Sequence, residues 1–350
     1  MKQLSVPSQL GYKKNVTFDL DALQLRDALQ ENRLGEGAYR RLASDVNSSV
    51  RDVASLQGSL VVAISGAAGD YDDIAECESM MLEQGLADKE RCMALTARDY
   101  NGLAGDLAGR QTLNKLPANA YERSQLGMIA GFDTLKIDAG KQITAAAGSS
   151  LTIDTTGAMV DYQPLAAEST TAGEVNVDNR YQSVTVSSTT GMVAGDAFTI
   201  AGVEAVHHET KDSTNQLKTF RVISVTDGTT VVISPPIIGA TGTPTDSQAA
   251  YQNANIASTS STAAIVFLNA NAAAANPFWC KESIEILPGR FAVPDNQGAD
   301  ILRGTTDQGL EVVMTKKFDP LKFVSTYTVD VLYGVVNTNP EMNGILLFNQ

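Results

Sequence analysis

The sequence predicts an α+β fold in which an all-β domain is inserted into a mixed helix-and-sheet domain. Three observations predict it. Residues 36–57 carry a single apolar stripe at helical spacing. Val175 to Pro236 is a run of β-branched residues punctuated by Gly and Asp-Gly. Between about Lys136 and Ala275, charge and helical periodicity give way to Thr, Ser, Ala, Gly and Val, and Asn276-Pro277-Phe278-Trp279 marks the return.

Taken in order, Asn15 to Asp19 reads as a short extended piece, and Leu20, Leu23, Leu25 and Leu29 suggest a helix from Asp19 to Leu29. Gly35-Glu36-Gly37 reads as a break. The stripe Tyr39, Leu42, Val46, Val50, Val53 and Leu56 then predicts a helix over Glu36 to Gln57, with Gly58 as its C′ stop. At 1.5 Å per residue such a helix would run ~33 Å, long enough to act as a spine. Asp70, Asp72, Asp73 and Glu76 open an apolar-periodic segment that continues through Met80 and Leu82. They read as first-turn acids favoured by the helix dipole rather than a divalent-cation site, because the Gly and terminal Glu of a calcium loop are absent.

Met93 to Ala97 predicts a strand, Asp99 to Ala104 a helix, Asn114 to Tyr121 a turn and short helix, and Leu126 to Asp133 a buried strand closed by a turn. Inside the insert, Gln182 to Val186 and Ala197 to Ala201 are short strands separated by turns at Gly191 and Gly195. The clearest hairpin is Phe220 to Ile233, whose Asp227-Gly228 pair suits a type I′ turn. Two polar loops flank these strands. Asp161 to Asn179 holds Glu168, Glu174 and Asp178, and Val203 to Leu217 holds both histidines. In the tail, Glu311 to Thr315 is strand-like, and Thr326 to Val336 alternates over a length that suits a central strand.

Composition narrows the function classes. A net charge of −14 opposes wrapping around nucleic acid, whose affinity for proteins comes from Lys and Arg, yet suits a surface that lies beside DNA without adhering. Cys77, Cys92 and Cys280 have no CxxC spacing and read as reduced, unreactive thiols. The first residues have no apolar signal region, and the longest apolar segments fall short of the ~20 residues of a membrane helix, so no membrane association is expected. His207 and His208 lack the neighbours of a zinc site and read as exposed loop residues. There is no phosphate loop, no GxGxxG after a strand and no GxSxG elbow. Carboxylate pairs are available to any acidic chain, but 6% aromatic residues and a lone Trp279 are poor material for a sugar cleft. Neither an enzyme nor a cofactor is expected. A β-rich virion decoration or glycan-binding module is the alternative from another class.

Several stretches, in order, resemble the coat (major capsid) proteins of short-tailed Salmonella phages of the P22 type. The longest is Val175-Asn176-Val177-Asp178-Asn179-Arg180-Tyr181-Gln182-Ser183-Val184-Thr185-Val186, running on to Met192, then Gly195-Asp196 and Ile200 to Val203. Others are Ala38 to Arg41, Gly58 to Val62, Pro117 to Tyr121, Ala130 to Asp133, Val225 to Thr229, Phe278-Trp279, Tyr333 to Val335 and Pro340-Glu341. The resemblance covers nearly the whole chain.

It implies the Hong Kong 97 (HK97) capsid fold: a peripheral domain with a spine helix, an axial domain, and an inserted six-stranded β-barrel. The implied division is a remnant of the N-terminal arm and E-loop with a leading helix over 1–34, the end of that hairpin lying near Leu4 to Asn15. Then come the spine region over 35–68, the axial domain over 69–136, the insertion domain over 137–275 and the return segment over 276–350. The implied function is a structural subunit that self-assembles as hexamers and pentamers into an icosahedral head. Its implied partners are further copies of itself, a scaffolding protein, a portal protein and packaged double-stranded DNA, in a virion assembled in the host cytoplasm. Asp161 to Asn179 lies where the family's insertion-domain loop reaches a neighbouring capsomer, so Glu168, Glu174, Asp178 and Arg180 are the candidate inter-subunit residues.

Overall fold

The computed structural model describes residues 4–21, 28–86, 90–109, 123–124, 126–138, 140–154, 161–171, 173–256, 262–292 and 299–350. In chain order its elements begin with β1 (Tyr12–Asp21), α1 (Ala28–Gln57), β2 (Leu60–Ala63), α2 (Tyr71–Glu83), β3 (Arg91–Thr96) and α3 (Ala97–Gly109). Short strands β4 (Met128–Ile129), β5 (Phe132–Ile137), β6 (Lys141–Ile143), β7 (Thr152–Asp154), β8 (Ala167–Thr170) and β9 (Gly173–Asn176) follow. Next come β10 (Gln182–Thr185), β11 (Ala197–Val206), β12 (Ser213–Val225), β13 (Thr230–Ser234), α4 (Asp246–Tyr251), β14 (Ala254–Ile256) and β15 (Thr262–Phe267). The chain closes with β16 (Ala273–Cys280), β17 (Ile284–Pro288), β18 (Asp300–Thr305), β19 (Glu311–Asp319), β20 (Val324–Asn337) and β21 (Asn343–Leu347). Two compact units result, one of residues 1–7, 54–284 and 337–350, the other of 8–53 and 285–336.

The smaller unit is a five-stranded sheet in the order β1-β20-β19-β18, with β17 on β20, covered by α1. Alternation puts Tyr327, Val329, Val331 and Tyr333 of β20 on the buried face. The register stacks two pairs across strands, Tyr12 on Tyr333 at 5.3 Å and Phe18 on Tyr327 at 5.0 Å. The expected helix from Asp19 is corrected here. Asp19, Leu20 and Asp21 are the last residues of β1, and Leu20 is fully buried there. Residues 22–27 of that expectation lie outside the described residues, and its last two, Ala28 and Leu29, are helical as expected and open α1.

The expected break at Gly35-Glu36-Gly37 is also overturned, because α1 runs unbroken for 30 residues, ~45 Å. Nothing lies within 4 Å of where a Cβ would stand on either glycine. Each glycine costs a helix about 1 kcal/mol relative to Ala, less than the burial of Ala38 and Leu42 against Leu310, Val329 and Val331 returns.

In the larger unit a mixed sheet in the order β2-β21-β16-β3-β5-β4, with β6 on β16, packs against α2 and α3 through Ile74, Cys77, Met81, Tyr100 and Leu103. Among the described residues, only β2–β21 and β3–β5 are parallel pairs there. The insert forms its own sheet, β10-β13-β12-β11-β15-β7 with β14 on β11, which makes seven strands among the described residues rather than six. An isolated bridge from Ile153 to Val186 brings its two ends together, so the sheet is a near-closed barrel around Phe198, Phe220, Val222, Ile233 and their neighbours. Val61, Ile143, Ala197, Ala275, Ile345 and Leu347 form a separate cluster joining insert and mixed sheet.

Other local expectations are revised. Leu126 to Asp133 is a hairpin turning at Ala130-Gly131, not one buried strand, and Met128 is exposed. Val203 to Leu217 is mostly the two arms of β11 and β12. Asp227-Gly228 does not form a two-residue turn: Gly228 is not among the positive-φ glycines. Instead Asp227 Oδ1 accepts from the backbone N–H groups of Thr229 at 2.8 Å and Thr230 at 2.7 Å, bracing a wider turn with its side chain. Gly191 and Gly195 do take positive φ. Asp73 Oδ2 accepts from the N–H groups of Gly69 and Asp70, so this acid caps α2. The expected turn and short helix at Asn114 to Tyr121 lie outside the described residues. Among the described residues no helix is long and apolar enough to cross a membrane.

Candidate assembly surfaces

Asp161 to Asn179 is not a plain loop. It projects a two-stranded ribbon, β8–β9, that pairs with no other strand among the described residues and is exposed along almost its whole length. Its register sets Glu168 opposite Val175 and Ser169 opposite Glu174. Residues opposite one another share a face, so Glu168 and Glu174 point to opposite faces of the ribbon. Val175 shares the face of Glu168 and is 54% exposed.

The base of the ribbon is clamped. Asn179 Oδ1 accepts from Leu165 N–H at 3.0 Å, and its Nδ2 donates to the Leu165 carbonyl at 2.8 Å, closing the two chains like one more strand pair. Asp161 accepts from the backbone N–H groups of Gly239, Ala240 and Thr241. Asp178 and Arg180 form a two-pronged ion pair, Nε to Oδ1 at 2.8 Å and Nη2 to Oδ2 at 2.6 Å. Arg180 Nη1 donates to the carbonyl of Asn337 at 2.8 Å, and the guanidinium stacks over Tyr181 at 5.1 Å. Burial works against the charge of Arg180, and the hydrogen bonds and charge of Asp178 outweigh it, holding the pKa above its usual value. Of the four candidate residues, the structure therefore places Glu168 and Glu174 on the projecting ribbon, and brings Asp178 and Arg180 together beneath it.

A second set of charges ties the insert to its surroundings, and the strand pattern alone did not single these residues out. Arg221 is 0% exposed, between Phe220 and Val222 of β12. Its Nη2 donates to the Ser55 carbonyl at 2.9 Å and to the Gly195 carbonyl at 2.8 Å. Burial pulls its pKa down to about 10, opposed by the charge of Asp196. Burial also raises the Asp196 carboxyl, which accepts from Val193 N–H and Asn269 Nδ2.

Three residues earlier on β12, Lys218 and Glu341 form a buried ion pair. Burial pushes Glu341 upward, and Lys218, His208 and Asn253 together overcome it, so its pKa lies below normal. The histidines are half-buried rather than exposed. His207 Nδ1 accepts from Glu209 N–H and Thr210 N–H, and His208 N–H donates to the Gln84 carbonyl after α2. Cys77, Cys92 and Cys280 are free and buried, and burial raises each thiol pKa.

An exposed ribbon on a barrel with buried charge contacts is the equipment of a structural subunit that works through its outer surface. Residues 1–349 match the family model described as P22 coat protein, gene protein 5, and the chain belongs to the P22 coat protein family. It is a major capsid protein that forms the phage head, and so a component of the virion.

Among solved structures, the I-domain of the CUS-3 coat protein is 41% identical over 35% of this chain and 98% of its own length, with a TM-score of 0.26. A structure from Mycobacterium phage Che8 is 10% identical, covering 98% of this chain and 72% of that one, with a TM-score of 0.44. The mature capsid of bacteriophage PhiM1 is 9% identical, covering 96% and 71%, with a TM-score of 0.37. The architecture itself is α+β, with a near-closed inserted sheet.

Proposed function

We propose that the chain assembles as hexamers and pentamers into an icosahedral head in the host cytoplasm, with a scaffolding protein and a portal protein as assembly partners and double-stranded DNA as cargo. Residues 35–68, with Ala28 to Leu34 of the same continuous helix, serve as the spine region, 69–136 and 276–350 as the axial and peripheral remainder, 137–275 as the insertion domain and the residues before 28 as the leading arm. With a net charge of −14, the subunit lies beside packaged DNA without binding its sequence.

The carrying observation is the β8–β9 ribbon, which projects charge from a clamped base. Glu168 and Glu174, one on each face, contact basic residues of the neighbouring capsomer. The Asp178–Arg180 pair holds the ribbon at the angle that contact needs. A single exposed ion pair is worth only ~0–1 kcal/mol, and repetition over a closed lattice gives it weight. Charge reversal at both positions (Glu168→Lys with Glu174→Lys) should abolish or slow shell formation, seen by sedimentation and electron microscopy, while the thermal melt of the free subunit stays put. Normal shells from that variant would remove the ribbon from the interface.

A further inference from the structure

Among the described residues, the smaller unit carries an uncovered apolar knob at one end of its central hairpin and an uncovered apolar groove at the other. The knob is the turn joining β19 to β20. Leu321 is 92% exposed, Phe323 63% and Phe318 49%, and the two rings pack edge to face at 6.1 Å. Phe323 sits at φ +53, a left-handed conformation that bulky residues rarely adopt, so the turn holds this ring outward against its own backbone preference. Lys317, just before the knob, and Lys322, within it, are exposed, and with the half-buried Asp319 between them leave a small local excess of positive charge on a chain whose net charge is −14.

The groove lies between α1 and the strands. It has a volume of about 330 Å³ and is lined by Tyr39, Leu42, Ala43 and Val46 of the helix and by Leu310 and Val312 across from them. Asp307, in the β18–β19 turn beside the lining residues, is exposed, whereas Glu36, one turn before Tyr39, is already paired with Arg40 at 3.8 Å. Register fixes the separation. Val312 pairs with Val331 at the groove, and Asp319 pairs with Val324 at the knob, seven residues further along. At ~3.3 Å per residue the two features are ~23 Å apart, too far for the knob to fill the groove of its own chain.

We propose that the 318–323 knob of one subunit docks in the α1–β19 groove of the next, so that the partner is a second copy of this chain. The proposal rests on the capsid reading above and names a contact that reading leaves open. One event covers both apolar surfaces and brings Lys317 and Lys322 toward Asp307. The contact is heterologous, since knob and groove are different patches of the same chain. Repeated head to tail, it closes into a ring when the rotation per subunit allows.

The test uses the full chain with Leu321→Cys and Ala43→Cys together, both positions being exposed and all three native thiols buried. Under mild oxidation the double variant should give a ladder of disulfide-linked chains that collapses on reduction, and either single variant should remain monomeric. Cross-linked dimers from Leu321→Cys alone would mean that knobs meet knobs, and would overturn the proposal. So would shells that sediment normally from the double variant without any ladder. Leu321→Asp should lower the yield of closed particles at least tenfold with an unchanged melt, and wild-type yield would again overturn the contact. Absence of particles from the unaltered chain would count against the capsid reading itself, and the ladder assay on the soluble protein would still decide the docking contact separately.

Discussion

Arg221 of the inserted barrel caps the C-terminal end of α1: its Nη2 lies 2.9 Å from the carbonyl oxygen of Ser55. The last turn of α1 has no basic residue of its own, and its final carbonyls have no partners within the helix. A guanidinium supplied by β12 meets both the hydrogen-bond need and the negative end of the helix dipole. The same nitrogen bonds Gly195, so one side chain holds the helix end to a turn of the insert.

Truncating this bridge should be expensive. Arg221→Ala leaves two carbonyls unbonded and a cavity, and should lower unfolding stability by about 3 kcal/mol. Arg221→Met refills the volume and removes the buried Nε and Nη1, which make no hydrogen bond among the described residues, so its loss should be smaller, about 1 kcal/mol. Urea titration of the two variants would check this. A loss below about 0.5 kcal/mol for Arg221→Ala would mean that the helix end is held by other contacts.

The Lys218–Glu341–His208 group should make the protein acid-sensitive in two steps. Burial lowers the His208 pKa, with the charges of Lys218, Lys211 and His207 adding to it against the opposing pull of Glu341. The unfolded chain therefore takes up this proton first. Stability falls as pH drops below the ordinary histidine value of ~6.5 toward the lower folded value. Glu341, also held below its ordinary value, keeps its contribution above ~4.5 and loses it as pH falls further through the folded value. Thermal melts between pH 8 and 3 should decline in both windows, and His208→Gln should flatten only the upper one. An unchanged upper slope in that variant would assign it to another group.

What the sequence made legible follows from periodicity. The alternation from Thr326 to Tyr333 marks the central strand β20, and the i, i+3, i+4 stripe from Leu42 to Val53 marks the burying face of α1. Both signals are local, and each records which side faces the core. Glycine and Asp-Gly were weaker guides. Gly35 and Gly37 sit on an open helix face where nothing forces a stop, and Asp227 braces its turn through its carboxylate rather than lending φ to Gly228. The acidic loop was located, but not the split of Glu168 and Glu174 between two faces, because only pairing register decides it. Arg221 was hidden for a related reason. A charged residue amid Phe220 and Val222 makes sense only when a distant helix end is placed against it.

Gly58 separates two explanations of why a helix ends in glycine. A left-handed C′ cap would tolerate Asn at a cost of a few tenths of a kcal/mol and Ala at about 1 kcal/mol. Gly58 is not among the positive-φ glycines, however, and a Cβ there would stand 2.8 Å from Asn343 Oδ1 and 3.0 Å from Gly344 Cα. Close approach, not handedness, is what requires glycine. Asn343 is fixed in turn, donating from Nδ2 to Asn337 Oδ1 at 2.8 Å, while Asn337 Nδ2 reaches the Gln57 carbonyl at 3.3 Å. Any side chain at 58 must therefore displace Asn343 and disturb the cap on α1. Gly58→Ala should cost about 2 kcal/mol and Gly58→Asn more, because the larger group meets the same backbone. Melts of the two variants decide the matter: Asn tolerated better than Ala would restore the left-handed cap, and Asn tolerated worse identifies packing against Asn343 and Gly344 as the reason the helix ends on glycine.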